Sequence, residues 1–256
     1  MKAANALVAD VLAAVRAAVA PGVSTGDLDA LAEERVRAAG AEPAFKGYHG
    51  YPATICASVN EEVVHGIPSR RALLEGDIVS VDIGVLLDGF YGDAAVTLPV
   101  GRVSERAAAL LDATLESLHQ AIAQVKVGAR VSDIGHAVQQ YVEARGFSVV
   151  REFVGHGIGQ KLHEEPQVPN YGMPGRGPRL TEGMVLAIEP MVNLGKPGVR
   201  VLSDGWTAVT KDGSLSAHFE HTVAVTARGP LVLTAPGGAV VAGADGYWPS
   251  LQTART

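Results

Sequence analysis

The 256-residue sequence predicts an α+β fold of two similar halves, each running helix, helix, strand, strand, related by a pseudo-two-fold axis around a central antiparallel sheet. Two collinear repeats and one helical pattern predict it. In the first repeat, Pro21-Gly22-Val23-Ser24-Thr25-Gly26-Asp27-Leu28 precedes a helical pattern ending at Gly40, and Val127-Gly128-Ala129-Arg130-Val131-Ser132-Asp133-Ile134 precedes one ending at Gly146. Gly22 and Gly128, Asp27 and Asp133, and Gly40 and Gly146 are all 106 residues apart. In the second repeat, the segment from Glu75 to Asp82 aligns with that from Glu182 to Glu189, now 107 residues apart. The helical pattern is N-terminal: Leu7, Val8, Val11, Leu12, Val15 and Val19 recur at three and four, the spacing of an amphipathic helix on a core.

Each further element follows from local chemistry. Lys2 and the alanine-rich run to Ala20 imitate a secretion leader, but Asp10 and Arg16 interrupt it and Pro21 follows the supposed cleavage point, so a core helix is expected. Before the second helix of each half, a small residue and an Asp stand where an N-terminus wants a cap. Gly40 and Gly146 close those helices. The turns at Glu75-Gly76 and Glu182-Gly183 then feed apolar strands that reach Asp82 and Glu189. A second strand in each half carries its own acid, Asp93 in the first and Glu220 in the second. No linker-like composition marks the seam near Gly101. Residues 1–234 are therefore expected to form one domain, with halves of about 1–101 and 102–234. The Ala/Gly-containing tail 235–256 is expected to be poorly ordered.

Composition excludes several classes. A net charge of −6 without basic runs argues against a nucleic-acid surface. No apolar run is long enough to cross a membrane. The single cysteine, Cys56, rules out an intrachain disulfide framework or a thiolate zinc cluster, and suits a reducing compartment; the cytoplasm is expected. Any metal must be held mainly by carboxylates and histidines.

One acid in one apolar strand could simply face solvent. Four such strands, in two halves packed about an axis, would bring Asp82, Asp93, Glu189 and Glu220 together. Four buried carboxylates repel one another unless cations neutralise them, and two divalent ions meet that demand. His156, in Val154-Gly155-His156-Gly157-Ile158-Gly159, offers a softer ligand on a glycine-rich loop; the glycines allow close approach and unusual dihedrals. A mixed Asp/Glu/His set suits Mn, Fe, Co or Zn better than Ca or Mg. His65 and His163 lie in marked loop contexts. His49, His119, His136 and His218 are expected to have surface or local hydrogen-bonding roles, and His221 to support its neighbour Glu220.

These segments together resemble the type I methionine aminopeptidases, the smaller members of the "pita-bread" metallopeptidase group. The resemblance runs from about Asn5 to Thr234. It is carried by Gly47-Tyr48-His49-Gly50-Tyr51-Pro52, the stretch from Asn60 to Pro68, Val81-Asp82-Ile83-Gly84, the hairpin Leu87 to Asp93, Gly155-His156-Gly157-Ile158-Gly159, Ile188-Glu189-Pro190-Met191, Asp204-Gly205-Trp206 and Ser216 to Thr222. It implies a pita-bread fold and two divalent metals held by Asp82, Asp93, His156, Glu189 and Glu220, with Asp93 and Glu220 bridging. It further implies substrate contacts from His65 and His163, and a methionine pocket lined by Phe45, Tyr48, Tyr51, Cys56, Leu162 and Trp206. Asn60 and Ser216 fall where backbone oxygens would hold a monovalent cation. Val64 departs from the cysteine many members carry there. No long insertion separates His163 from Glu189, and neither a prolidase-like preceding domain nor a cysteine-bearing extension precedes the first helix, which favours type I.

The implied reaction is removal of the N-terminal methionine from nascent proteins and peptides, with a small second residue favoured. A metal-bridged hydroxide would attack the first peptide carbonyl, Glu189 would relay the water's proton to the leaving amine, and His163 and His65 would stabilise developing charge. A monomer is expected, and a transient ribosome contact stays open. Two other classes also stay open: a non-catalytic binding module on the same fold, against which stand five retained ligands, and another dimetal hydrolase such as a dipeptidase.

Overall fold

A computed structural model describes residues 1–235 and the backbone of 239–240. Among the described residues four α-helices, α1 (Lys2–Ala18), α2 (Thr25–Ala38), α3 (Glu105–Ile122) and α4 (Val131–Glu143), form two pairs, one in each half. The α1 pattern buries Ala4, Val8, Val11, Leu12 and Val15 against the hairpin made by Ile78–Leu87 and Phe90–Pro99. In the second half α3 and α4 back strands in the same way.

The duplication is visible in the backbone. Gly22 and Gly128 turn at φ 90° and 89°, and Gly76 and Gly183 at 93° and 92°. Gly22 N–H donates to Leu73 O, and Gly128 N–H to Leu180 O, both at 2.8 Å. Isolated bridges join Ser24 to Ala72 and, at the equivalent positions, Arg130 to Arg179. The caps differ. Ser24 and Asp27 form a reciprocal capping box on α2. On α4 the capping position holds Arg130 rather than the expected small residue, and Asp133 accepts the Arg130 N–H at 2.7 Å.

Among the described residues every strand pairing is antiparallel. In the first half Ile78–Leu87 lies between Phe90–Pro99 on one side and Glu42–Pro43 and Ile55–Val59 on the other. The second half builds a six-stranded sheet in the order Ala239–Val240, Gly229–Val232, His221–Thr226, Val185–Ile188, Gly155–Gly157, Glu164–Val168. Two three-stranded sheets complete the fold, one centred on Met191–Asn193 and one on Ala208–Thr210, the latter pairing with Glu62–Val64 of the first half.

The simple helix, helix, strand, strand reading needs two corrections. Asp82 and Asp93 do lie within two strands of one hairpin, turned by Asp88 and Gly89 at φ 51° and 76°. Glu189 and Glu220, however, lie just outside their strands, and short strands including Met191–Asn193 and Ser216–His218 intervene between them. Pro190, which has no N–H to donate, stands directly after Glu189, where the ladder ends. The other correction concerns His156: it lies on the strand Gly155–Gly157, not on a loop. Past Thr234, Ala235 is buried and Ala239–Val240 pairs with the preceding strand; the rest of the expected tail lies outside the described residues.

The halves meet where Phe90–Pro99 faces His221–Thr226. Glu220 N–H donates to Ala95 O at 2.9 Å. Two buried threonine hydroxyls clamp the seam. Thr97 Oγ1 donates to His218 O at 2.7 Å and accepts the His218 N–H at 2.8 Å. Thr222 Oγ1 donates to Asp93 O at 2.7 Å and accepts the Asp93 N–H at 3.3 Å. A Thr97→Val substitution keeps the shape but strands the buried His218 N–H. It is expected to cost about 1–3 kcal/mol in urea unfolding, and an unchanged midpoint would contradict this account of the seam.

Candidate metal centre and adjoining cavity

The seam clamps fix the backbone of the acids. Asp93 stands opposite Gly84 in the hairpin, and Asp82 opposite Cys56 on its other side. Glu220 is held through its own N–H to Ala95. The Asn170 side chain donates to the Glu189 carbonyl at 2.9 Å. His156 projects from a strand whose neighbours permit only glycine. A Cβ on Gly155 would sit 2.3 Å from Ala187 O, and one on Gly157 2.3 Å from Glu165 O. Neither glycine has a positive φ, so of the two expected uses only close approach applies.

Asp93, His156 and Glu220 are buried and present ligand atoms within 4.8 Å of one another. His156 Nε2 lies 3.9 Å from Asp93 Oδ2 and 3.7 Å from Glu189 Oε1. Burial, with the charges of Glu220 and Asp82, holds the Asp93 carboxyl well above its usual range; burial raises Glu189 and Glu220 in the same way, aided by neighbouring acids. Burial also pushes Asp82 up to about 7. Burial depresses His156 and His65 to about 4, with the charge of His163 next in each case. Acids crowded into a buried site beside neutral imidazoles favour a bound cation, which would offset their mutual repulsion.

The donor set passes a direct test. Asp82 Oδ1, Asp93 Oδ1, Glu220 Oε1 and His218 Nε2 are buried without a hydrogen-bond partner among the described residues. Three carboxylate oxygens and an imidazole nitrogen left without hydrogen-bond partners in the lining of one cavity fit divalent cations.

All thirteen residues expected at the site line one cavity of about 260 Å³. Its far wall is apolar: Phe45, Tyr51, Cys56 and Leu162 belong to a separate hydrophobic cluster against which Tyr48 and Trp206 pack. Gly84 makes room for Phe45, whose ring would lie 2.6 Å from a Cβ there. Tyr51 Oη bridges Ile55 O and Gly66 O at 3.0 and 2.9 Å. His65 has a left-handed backbone, φ 60°, fixed by Gly66, which packs on the Ala57 carbonyl and donates to Ser58 Oγ. Its ring meets Phe153 and Trp206 edge-on at 5.4 and 6.3 Å. His163 is exposed at the rim, with Nδ1 2.8 Å from Tyr48 Oη and its ring centroid 4.3 Å from that of His156.

Some lining residues escaped the sequence reading: Val64, Phe153, Val154, Met191 and, most consequentially, His218. His218 was expected in a surface or local role. It is buried, with Nε2 3.9 Å from Glu189 Oε2, and burial depresses it to about 3. Its spacing of two from Glu220 was the available signal, since alternate residues of an extended segment share a face. His119 is also largely buried, against Glu116. His49 is exposed and His136 meets Gly172 O, as local roles require. His221 Nδ1 meets Thr234 Oγ1 at 2.8 Å. Of the residues expected at a monovalent cation, Asn60 O accepts the Ser216 N–H at 2.9 Å.

The family model for metallopeptidase family M24 matches residues 1–227, and the chain belongs to that family. Within it, the likeness is to methionine aminopeptidases. The Clostridium acetobutylicum methionine aminopeptidase is 54% identical, the match covering 91% of this chain and 94% of the relative. Methionine aminopeptidase 1 of Bacillus subtilis is 56% identical, over 84% and 87% of the two chains. The crystal structure of the Thermotoga maritima methionine aminopeptidase superposes with a TM-score of 0.90 at 51% identity, covering 91% of this chain and 94% of that one. The fold is accordingly the pita-bread fold of metallopeptidases. No helix of the described residues is long and apolar enough to cross a membrane.

The raised acids set a pH dependence for the metal-free protein. Folded Asp82 binds more protons than unfolded Asp82 between 3.8 and about 7, so stability falls as pH rises through that window. The depressed histidines act oppositely, but only below their ordinary value of 6.5. Metal-stripped protein is therefore expected to melt higher at about pH 6.5 than at about pH 8. Mn-loaded protein, its acids held ionised, should show a smaller rise or none. Calorimetry at the two pH values checks this; equal slopes with and without metal would refute it.

Proposed function

We infer that the chain is a metal-dependent methionine aminopeptidase that removes N-terminal methionine from nascent proteins and peptides, with a small second residue favoured. One observation carries the reading: a single cavity has a carboxylate–imidazole cluster on one wall and an apolar, aromatic pocket on the other. The pocket takes an unbranched apolar side chain, and the cluster lies where the first peptide bond would rest. Asp82, Asp93, His156, Glu189 and Glu220 would together hold two divalent ions from among Co, Mn, Fe and Zn. Divalent ions bound there supply Lewis acidity that makes water nucleophilic at neutral pH.

The protein's own groups do the rest. Glu189, raised in pKa and beside His156 and His218, accepts the proton of the attacking water and passes it to the leaving amine. With the Tyr48 hydroxyl donating to His163 Nδ1, the neutral imidazole carries its proton on Nε2 and donates it toward the carbonyl oxygen as charge develops. Burial and the His49 charge lower the His163 pKa, which keeps that ring neutral. His65, wedged between Phe153 and Trp206, positions the scissile amide. Free polypeptide N-termini are the partners, and the enzyme acts in the cytoplasm as a monomer.

The two neighbouring histidines separate in a mutational test. His163→Ala should retain its metal and lose about a hundred- to a thousandfold in kcat on Met-Ala-Ser. His156→Ala should lose metal as well as rate. Normal turnover by metal-replete His163→Ala would remove its catalytic role, and lost metal there would mean the roles are exchanged. Faster cleavage of Ala-Ala-Ser than of Met-Ala-Ser would overturn the methionine assignment.

A further inference from the structure

A methionine seated in the cavity leaves the rest of the substrate to be placed. A second concavity, an open groove of about 650 Å³, begins where the first ends: His156 and His163 line both. Besides Val154, Gly155 and Gln160, its wall runs along Lys161, Glu164, Glu165 and Gln167. That wall is the edge of the six-stranded sheet, because Glu164–Val168 pairs only with Gly155–Gly157 among the described residues. The groove is lined by residues of both outermost strands of that sheet, Gly155–Gly157 and Glu164–Val168, and continues from the two histidines at the scissile bond, so it offers the rest of an extended polypeptide a surface to lie along.

We propose that this groove is the track for the third to fifth residues of the substrate, and that Glu164 and Glu165 make it select basic over acidic side chains there. The proposal rests on the aminopeptidase reading above. The wall carries two carboxylates against one lysine. Glu165 is exposed, and no ion pair among the described residues takes either carboxylate. Glu164 is oriented by the Lys161 N–H, which donates to Oε1 at 2.9 Å, and it sits over Gly159. Charges that are half-buried, as at Glu164, or exposed, as at Glu165, act weakly and over the screening length of the solution. The selectivity is consequently modest, salt-sensitive and confined to residues beyond the second.

The test uses metal-loaded full-length protein and pentapeptides Met-Ala-Ser-Ser-Ser in which position three, four or five is Lys or Glu. At low salt the Lys peptide should exceed its Glu partner in kcat/KM by about threefold or more at one of these positions at least. The ratio should shrink toward one in about 0.5 M salt. In Glu165→Lys the ratio should fall to one or invert, and in Glu165→Gln it should lie between. The ratio is internal to each variant, so a general loss of activity does not disturb it. Equal kcat/KM for Lys and Glu peptides at all three positions, or a ratio untouched by both salt and Glu165→Lys, would overturn the groove proposal. Failure to release methionine from any peptide would instead overturn the aminopeptidase reading beneath it.

Discussion

Carboxylates gathered at a buried seam are the constraint from which the rest of this fold follows. Two like charges about 4 Å apart repel by about 4 kcal/mol at an effective dielectric of about 20. A neutral hydrogen bond at the seam contributes about 1 kcal/mol. The threonine clamps and the Glu220-to-Ala95 bond therefore cannot hold four ionised acids together by themselves. They can hold the backbones that carry them, and they do so from both sides, Thr97 gripping the segment before Glu220 and Thr222 gripping Asp93. The remaining repulsion is relieved by protonation, as the raised pKa values indicate, or by cations. Geometry fixed by backbone and charge left uncompensated are the two conditions of a preorganised metal site.

Most of the architecture could be read from the chain because duplication leaves paired marks. The glycines at 22 and 128, and at 76 and 183, occupy turns whose φ angles agree within a degree. The acids were legible for the same reason: one acid in an apolar strand such as Val79-Ser80-Val81-Asp82-Ile83 could face solvent, but four of them at paired positions demand a common explanation. The pocket residues were legible only through family resemblance. Nothing in the spacing of Phe45, Leu162 and Trp206 announces that they share a wall, because separate elements of both halves bring them there.

What stayed hidden has a physical cause in each case. His218 looked ordinary because its neighbourhood reads as a strand end; its burial depends on Thr97, 121 residues earlier, gripping its backbone. The glycines around His156 suggested a loop, since glycine more often signals unusual dihedrals than tight strand packing. Here they lie in extended chain and exclude a Cβ because the carbonyls of Ala187 and Glu165 are too near. The position of Glu189 outside its strand was masked by the alignment with Asp82, which is correct in register but blind to what Pro190 does to the ladder.

The departures from symmetry are where substrate chemistry enters. An offset of 107 carries Ser80 to Ala187, and these residues pair with Ser58 and His156 respectively. Ser58 and His156 are thus equivalent positions with different tasks. Ser58 Oγ accepts the Gly66 N–H and so fixes the turn that presents His65, whereas His156 reaches the acids directly. The same division appears beyond the acids. The first half joins Asp82 to Asp93 by a tight hairpin, and the second opens the equivalent connection into extra strands that deliver Trp206 and His218 to the cavity. The paired acids supply a cluster with no preference for one end of a peptide over the other. The inserted strands bring Trp206 and His218 to the cavity while exposed His163 stands at its rim, and that asymmetry gives a peptide a direction in the site.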